Sequence, residues 1–439
     1  MDISNLIIQL QAKVNNLTYN QLAVTKSIEM LKTGQVNYVN AYSELPAADT
    51  VNGYMYYVKS LGLYFSNGTT WSRMDPVEYY NSAWAWGYGK FGHLGNNSTT
   101  NRSSPVSVVG GFTDWCQVSA GFTTSSGIRQ NGTLWSWGVW QRLGANTTVD
   151  KSSPVSVVGG FTDWCQVGAG VTASLAVRQN GTAWAWGDNA FGQLGDNTIT
   201  DRLSPVSVVG GFTDWCQVTS SMANISGHGV RQNGTLWSWG YNATGKLGDD
   251  TTVAKSSPVS VVGGFTDWCQ VSSGYFTAAV RQNGTLWAWG SGSYGRLGNN
   301  CTTNRSSPVS VVGGFTDWCQ ISASTHGLGL RTNGSVWAWG CNNRGQLGDN
   351  TTASKSSPVS VVGGFTDWCQ VSAGYKFGTA IRTNGTIWAW GLNSYGRLGN
   401  NSTTDSSSPV SVVGGFTDWC RIGYPQVRET QIAIRSTQV

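Results

Sequence analysis

The sequence predicts a mainly β fold: a seven-bladed β-propeller closed by N- and C-terminal strands, preceded by an N-terminal coiled-coil helix and a small β module. The segment SSPVSVVGGFTDWC recurs seven times almost unchanged, and the cysteines that end its copies lie 49, 51, 53, 50, 50 and 51 residues apart. A fixed period of about 50 residues is typical of propellers and solenoids. We expect three domains, over residues 1–35, 36–77 and 78–439.

Composition supports a rigid, turn-rich β protein, because only 11% of the residues are charged while 58 are Gly and 23 are Trp. The chain has no apolar run of about 18 residues, so we expect no membrane span, and its first residues lack the pattern of a secretion signal. The net charge of +5 is spread over the modules. This spread argues against nucleic-acid binding, which uses clustered basic residues.

Residues 1–35 carry apolar side chains alternately three and four positions apart, which predicts a coiled coil that joins copies of this chain. Eight of the nine positions are apolar, and they are Ile3, Ile7, Leu10, Val14, Leu17, Gln21, Val24, Ile28 and Leu31. A single amphipathic helix packed on the ring is the alternative. The pattern itself does not choose between two and three chains.

Residues 36–77 contain three predicted strands, Tyr54–Val58, Gly62–Ser66 and Thr70–Arg73, separated by turns. The segment ELP…GYMYYV…GLYFSNGTTW resembles a small module of bacteriophage tail fibres and appendages. A coiled coil, a small β module and a large β head also resemble the layout of a phage fibre. This resemblance implies a virion protein, a homotrimer through residues 1–35, and contacts of the N-terminus with other virion proteins.

Each repeated module predicts a four-stranded blade. An Asn-Gly pair between two apolar runs predicts a tight type I′ hairpin. A Trp-x-Trp strand follows, in which both indoles fall on one face. Together with the seven tryptophans of FTDWC, these strands assign 21 of the 23 tryptophans to packing between modules.

The two ends of the array predict ring closure. The last module stops after an Arg-terminated strand at Arg435 and has no Trp-x-Trp strand of its own. A single Trp-x-Trp strand that belongs to no complete module, Ala83–Gly87, precedes the first complete module. We therefore expect the N-terminal strand to complete the seventh blade, which leaves no terminal blade unpaired.

The order of Ala-Gly, variable loop, strand, turn, W-x-WG, N-x-x-G-x-LG and P-x-x-V over about residues 78–439 resembles the regulator of chromosome condensation repeat family. The resemblance implies a propeller but no single activity, since the family includes exchange factors, inhibitors and phage or bacterial binding proteins. The family's usual His-Thr after the Gly is replaced by pairs such as Phe122-Thr123, with only His326 close to it. We expect neither nucleotide exchange on a small GTPase nor a role in chromatin.

The residues predict no enzyme, no cofactor and no metal site. The Asp of FTDW and the Arg before Asn-Gly recur seven times, which suits structural pairs better than a single catalytic centre. Seven of the nine cysteines occupy one repeated position, too far apart for disulfides and without Cys-x-x-Cys or a nearby His, and we expect them to be packed, reduced thiols.

The modules differ mainly in two loops. One follows the Ala-Gly turn, and the other follows W-x-WG and includes Tyr88, Lys90, Phe91, Tyr241, Tyr294, Arg344 and Tyr395. Loops on a rigid scaffold often carry binding, and aromatic residues and Arg anchor interfaces, although drift explains the variation equally well. The candidate ligand-binding residues are Trp140, Arg142, Phe122, Tyr275, His326, Tyr375, Lys376 and Tyr424.

These observations favour a bacteriophage virion appendage, such as a tail fibre, that is assembled in the host cytoplasm and whose propeller head binds a glycan or protein of the host surface. A capsid or tail decoration protein without a receptor is the second interpretation. A bacterial inhibitor or scaffold that binds a protein across the propeller is the third.

Overall fold

The computed structural model describes residues 36–39, 55–58, 62–66, 71–74, 79–221, 225–425 and 430–438, with side chains within 80–221, 225–423 and 430–437. The chain divides into two compact units, Met1–Tyr80 with Thr437–Val439 and Asn81–Ser436. The predicted coiled-coil positions from Ile3 to Leu31 lie outside the described residues, so coiled coil and trimer stay predictions. No helix among the described residues is long and apolar enough to cross a membrane.

Four short strands are described in the first unit: β1 (Val36–Val39), β2 (Met55–Val58), β3 (Gly62–Ser66) and β4 (Trp71–Met74). They form one sheet in chain order, in which β1 is parallel to β2 and the other pairs are antiparallel. Strands β2 to β4 fall where three strands were expected, and β1 was not expected. A separately folded module over residues 36–77 stays a prediction.

The second unit is a seven-bladed β-propeller, in which every blade contains a four-stranded antiparallel ladder. In each blade the first strand begins at the Trp of FTDW, the third holds Trp-x-Trp and the fourth holds the Pro-Val-Ser segment. The second strand ends in Arg in blades 1 to 6 and contains Arg435 in blade 7. The first strands of neighbouring blades contact each other and so lie innermost. The array order predicted from the sequence is confirmed.

The strands of the propeller are formed in the order of the chain. The chain enters through β5 (Tyr79–Gly87) and β6 (Arg102–Ser107). Blade 1 contains β7 (Trp115–Ala120), β8 (Thr124–Arg129), β9 (Leu134–Gly138) and β10 (Lys151–Ser156). Blade 2 contains β11 (Trp164–Ala169), β12 (Ala173–Arg178), β13 (Ala183–Gly187) and β14 (Arg202–Ser207). Blade 3 contains β15 (Trp215–Ser220), β16 (Ser226–Arg231), β17 (Leu236–Gly240) and β18 (Lys255–Ser260).

The second half repeats this arrangement. Blade 4 contains β19 (Trp268–Ser273), β20 (Phe276–Arg281), β21 (Leu286–Gly290) and β22 (Arg305–Ser310). Blade 5 contains β23 (Trp318–Ala323), β24 (His326–Arg331), β25 (Val336–Gly340) and β26 (Lys355–Ser360). Blade 6 contains β27 (Trp368–Gly374), β28 (Phe377–Arg382), β29 (Ile387–Gly391) and β30 (Ser406–Ser411). Short 3-10 turns lie at Trp140–Arg142, Ser293–Gly295 and Ser394–Gly396.

Blade 7 joins the two ends of the propeller. Its strands are β31 (Trp419–Ile422), β33 (Thr430–Gln438), β5 and β6, hydrogen-bonded in that order. A two-residue strand, β32 (Tyr424–Pro425), adds a parallel pair to β7 of blade 1. Trp86 of β5 packs in one cluster with Ile422 and Ala433 of the C-terminal strands and Phe377 of blade 6. The predicted closure by strands from both termini is confirmed.

The Asn-Gly hairpins differ from the expected turn type. In blade 1 Gly132 has φ +75°, whereas Asn131 does not have a positive φ, so the type I′ prediction is wrong. The Gly132 N–H donates to the Arg129 carbonyl at 2.9 Å, and the Arg129 N–H donates to the Thr133 carbonyl at 3.0 Å. These bonds define a three-residue loop, a type I turn followed by a left-handed Gly. The Asn131 side chain stabilises this loop because its Oδ1 accepts the Thr133 N–H at 3.1 Å.

Two rings of hydrogen bonds join neighbouring blades. The second Trp of each Trp-x-Trp donates its Nε1–H to a carbonyl of the preceding blade, as Trp137 does to His93 at 3.0 Å. In the innermost strands the Gln after Cys reaches the next blade: Gln217 Oε1 accepts the Val271 N–H at 2.8 Å, and its Nε2 donates to the Val271 carbonyl at 3.1 Å. Blade 7 has Arg421 at this position, whose Nη1 donates to the Cys116 carbonyl of blade 1. Sequence reasoning missed this ring, although WCQ in six modules and WCR in the seventh pointed to it.

Candidate functional site

The two variable loops lie at the same end of every blade. The strands are antiparallel, so the first and third strands end together, and the loops that follow them meet. A backbone hydrogen bond ties the pair in five blades, as between the Val139 N–H and the Thr123 carbonyl at 2.9 Å, with equivalents at Asp188–Thr172, Tyr241–Ile225, Cys341–Thr325 and Leu392–Lys376. We call this end the loop face. The Asn-Gly turns and the VVGGFTD connections form the other end, the turn face.

In four blades the loop that follows W-x-WG has the same hydrogen-bonded backbone despite its varied side chains. In blade 2 the Asn189 Nδ2 donates to Asp196 Oδ1 at 3.0 Å and to the Thr198 carbonyl at 3.1 Å, while its Oδ1 accepts the Leu194 N–H at 3.0 Å. Asn242, Asn342 and Asn393 repeat this arrangement in blades 3, 5 and 6. One buried amide therefore holds the loop, and the exposed positions are free to differ.

The predicted ligand-binding residues fall into three groups. Phe122, Tyr275, Tyr375 and Lys376 are half-buried on the loop face, and so is Trp140 in its 3-10 turn. Arg142 joins blades 1 and 2, because its Nη1 donates to Thr123 Oγ1 at 2.7 Å and its Nη2 to Asp188 Oδ2 at 3.2 Å. His326 is fully buried, so a ligand on the surface does not reach it. The side chain of Tyr424 lies outside the described residues.

The most exposed aromatic side chains of the loop face are Tyr294, Tyr395 and Phe191, which expose 59%, 43% and 41% of their surface. Each of these three residues lies three positions before the Leu of the Leu-Gly pair in its loop. Tyr395 contacts Tyr88 of the next blade at 4.9 Å between ring centroids, and Phe191 contacts Tyr241 of the next blade at 5.1 Å. Sequence reasoning placed all three residues in the variable loops but did not select them as candidate ligand-binding residues, because the pattern does not report exposure.

Tyr294 and Tyr395 also have unusual backbones, with φ of +62° and +68° inside identical SYGRLG segments. A left-handed conformation costs a bulky residue about 1 kcal/mol or more and persists where the surroundings impose it. Gly295 and Gly396 follow these tyrosines, and a Cβ at either glycine would meet the backbone of a neighbouring blade. Tight contact between blades therefore holds both rings outward.

A ring of seven positions lies beneath the loop face, directly before each Leu-Gly. Their carbonyls accept the Trp Nε1–H bonds described above, while their side chains differ: His93, Arg142, Gln193, Lys246, Arg296, Gln346 and Arg397. Six of the seven side chains are buried. Sequence reasoning named only Arg142, although this position changes between modules while the following Leu-Gly does not.

Burial dominates the electrostatics of this ring. It lowers the pKa of His93 to about 4 and that of Lys246 well below its usual range. Lys246 Nζ donates to Ser221 Oγ and, at 2.7 Å, to the Gly274 carbonyl. Burial, followed by the nearby Lys246 charge, also lowers the pKa of His228 well below its usual value. These groups are internal parts of the scaffold.

The turn face repeats one charged unit seven times. In blade 1 Arg129 Nε donates to Asp114 Oδ1 at 2.7 Å, and the guanidinium carbon lies 4.3 Å from the centroid of the Phe112 ring. The other blades repeat the pair at Arg178–Asp163, Arg231–Asp214, Arg281–Asp267, Arg331–Asp317, Arg382–Asp367 and Arg435–Asp418. Each guanidinium is held by one carboxylate and the Phe ring of its GGFTD segment, which matches the structural role expected for these residues.

The repeated cysteines are free thiols, but four of them, Cys165, Cys216, Cys269 and Cys319, are exposed and not packed as expected. Their sulfur atoms lie near backbone carbonyls of the second strand, as Cys165 Sγ does 3.4 Å from the Val177 oxygen. Burial raises the pKa of the Cys420 thiol to about 11. Within the described residues no group of three or more His, Cys, Asp or Glu side chains is placed to hold a metal ion.

The closed ring of seven repeated blades, with its uniform turn face and varied loop face, defines a repeat propeller. The family model described as "Regulator of chromosome condensation (RCC1) repeat" matches residues 81–126, 180–221, 233–280, 283–327, 333–381 and 384–421. A second model of the same description matches residues 164–193, 268–296 and 368–397. These matches cover more than half of the chain, which therefore belongs to the regulator of chromosome condensation repeat family. All of them begin at or after residue 81.

Solved structures show the same fold. Human WBSCR16 aligns with a TM-score of 0.71 at 18% identity, over 82% of this chain and all of its own. Prp20p from Saccharomyces cerevisiae, described with its binding properties to Gsp1p and histones, aligns at 0.72 and 17%, over 82% and 92%. Yeast RCC1 (Prp20) bound by Kap60 gives 0.70 and 16%, over 82% and 90%. Curated protein sequences gave no significant match.

Proposed function

We propose that this protein is a binding protein whose loop face contacts a macromolecule on a host cell surface, as the head of a bacteriophage virion appendage. The observation that carries the proposal is the contrast between the two faces. The turn face is almost identical in seven blades, whereas the loop face differs in every blade and exposes Tyr294, Tyr395 and Phe191. Exposed aromatic side chains on a rigid frame are typical anchors of an interface.

The positions of the two ends of the propeller agree with binding through the loop face. Asn81, at the start of the propeller, lies on the turn face, where its N–H donates to the Thr113 carbonyl at 2.7 Å. The C-terminal strand β33 also ends at this face, since Arg435 pairs with Trp419. Neither terminus of the propeller therefore occupies the loop face.

The assignment to a phage virion rests on the sequence of residues 1–77 alone, through the predicted coiled coil and the resemblance to fibre modules. The solved structures of Prp20p and yeast RCC1 are described with protein partners. Their sequence identities to this chain, 16–17%, support a shared fold but do not support shared partners. A decoration protein without a receptor, or a bacterial scaffold that binds a protein, would use the same propeller. The two tests below separate these roles.

The first test measures binding of the labelled full chain to a panel of bacterial strains by flow cytometry. We expect the double variant Trp140→Ala/Tyr375→Ala to lose at least about 10-fold in affinity for a strain that the wild type binds, because each ring anchors the contact. Thr162→Ala on the turn face is the control, and unchanged melting temperatures exclude unfolding. Equal binding of all three proteins would refute a contact through the loop face.

The second test locates the protein on virus particles by electron microscopy with antibodies against residues 78–439. Label at tail or fibre tips supports receptor binding. Label spread over the capsid supports decoration, and particles without label contradict a virion protein.

A further inference from the structure

The charges of the loop face are unevenly distributed over the blades. The loops after W-x-WG in blades 1 to 3 carry six acidic residues, of which Asp188, Asp196 and Asp249 pair with basic side chains; the six are Asp150, Asp188, Asp196, Asp201, Asp249 and Asp250. Blades 6 and 7 carry the exposed Tyr395 and the half-buried Tyr88 and Phe91: Tyr395 contacts Tyr88 at 4.9 Å, and Tyr88 contacts Phe91 at 6.1 Å. We call these three rings, with Lys90 and Lys376, the aromatic-basic patch.

The charge of this patch is positive. Lys90 is exposed beside Phe91, and Lys376 Nζ lies 5.2 Å from the centroid of the Tyr375 ring. The loop 88–101 contains no acidic residue, and the loop 392–405 contains only Asp405, which pairs with Arg344 at 3.4 Å. The buried Arg397 adds a guanidinium 5.8 Å from the Tyr395 ring centroid.

The charges of the whole propeller agree with this asymmetry. Residues 81–439 contain 22 Lys or Arg and 16 Asp or Glu, of which seven of each form the neutral pairs of the turn face. Fifteen basic and nine acidic residues therefore remain for the rest of the propeller. Six of these nine acidic residues lie in the loops of blades 1 to 3, whereas ten of the fifteen basic residues belong to blades 4 to 7.

We propose that the aromatic-basic patch binds an acidic glycan, a polysaccharide whose sugars carry carboxylates. This inference rests on the proposed function and names its ligand. The rings of Tyr88, Phe91 and Tyr395 offer planar apolar surface for the C–H faces of sugars, and the two lysines attract carboxylates.

A second structural feature fits a ligand of repeating chemistry. The segment SYGRLG occurs in blades 4 and 6 with the same left-handed Tyr, an exposed ring and an Arg below it. Two equal subsites on one rigid face engage two units of one polymer, and such bivalent binding raises affinity without any new kind of contact.

The test uses the full chain and immobilised polygalacturonate, hyaluronate and polysialate, each beside its carboxyl-reduced form, with binding followed by biolayer interferometry. We expect binding to at least one acidic polymer, at least about 10-fold weaker binding to its reduced form, and weakening by added salt. Tyr395→Asn should lose about 10-fold, because Asn tolerates the positive φ and removes only the ring. Lys90→Gln/Lys376→Gln should lose a similar factor.

Two controls match these variants. Val253→Asn changes an exposed position in the loop of blade 3, outside the patch, and should change affinity less than about 2-fold, as should Thr162→Glu on the turn face. Binding to none of the three polymers, equal binding to their reduced forms, or an equal loss in Val253→Asn would overturn the proposal.

The outcome separates this inference from the proposed function. If Trp140→Ala/Tyr375→Ala abolishes cell binding while no acidic polymer is bound, the loop face binds another ligand, such as a protein, and only the glycan proposal fails. If the loop-face variants leave cell binding intact, the proposed function fails as well.

Discussion

His326 shows at the scale of one residue how burial makes this fold sensitive to acid. It begins the second strand of blade 5, where blades 4 and 6 have Phe276 and Phe377, and it is fully buried. Burial lowers its pKa from 6.5 to about 3. Above pH 6.5 the imidazole is neutral in both states and has no effect on stability. Below pH 6.5 only the unfolded state binds the proton, so folding stability falls as the pH drops toward the folded pKa.

We therefore predict that His326→Phe makes the protein less sensitive to acid. Between pH 7.5 and pH 5 the free energy of unfolding should fall by about 2 kcal/mol less than in the wild type, at about 1.4 kcal/mol per pH unit below 6.5. Urea titrations at both pH values measure the difference. His93 and His228 remain in the variant as further acid-sensitive groups, so the slope is reduced and not removed. An identical pH dependence in both proteins would contradict the buried, neutral imidazole.

At the scale of elements, the ring of Gln side chains replaces main-chain pairing between blades. The Gln217 amide bonds both the N–H and the carbonyl of Val271, in the way that a neighbouring strand would. We predict that Gln217→Ala lowers the free energy of unfolding by about 1–3 kcal/mol, because two backbone groups between the blades lose their partners. Urea unfolding checks the value. The control is Gln282→Ala in an exposed Asn-Gly turn, for which a change of equal size would refute the special role of Gln217.

Most strands of the propeller could be predicted from the sequence, because the alternation of side chains along a strand and the fixed repeat period are visible in the sequence itself. These two patterns predicted every blade and the closing strand β5. The turn at Asn131 was predicted wrongly, since its side-chain bond to Thr133 selects the three-residue loop over the type I′ turn. The candidate site was harder still. Variable positions were visible, but the burial of His326 and the exposure of Tyr395 depend on neighbouring blades, which no local pattern describes.

At the scale of the whole molecule, the place where the ring closes is arbitrary. Apart from Arg421 in place of Gln and the short strand β32, blade 7 differs from the others in that its second strand, β33, and its third strand, β5, are not joined by a covalent turn. Trp419 pairs with Arg435 as Trp115 pairs with Arg129, and the Trp84 Nε1–H donates to Ser82 Oγ as that of Trp135 does to Thr133. A Gln-Asn-Gly link from Arg435 to Ser82 would therefore restore the hairpin of blade 1.

We predict that a circular permutant with this link, opened between Asn283 and Gly284, folds to the same propeller. Its free energy of unfolding should lie within about 1 kcal/mol of that of residues 81–439, because the permutation exchanges one exposed three-residue turn for another and removes only the end of β33 after Arg435 and the part of β5 before Ser82. Far-ultraviolet circular dichroism and urea titration measure both proteins. The control is opened inside β20, between Ala278 and Ala279, and should unfold because the cut divides a buried strand. If the permutant opened at the turn is also unfolded, closure at blade 7 contributes more than its hydrogen-bonded strands, and the equivalence of the seven blades is refuted.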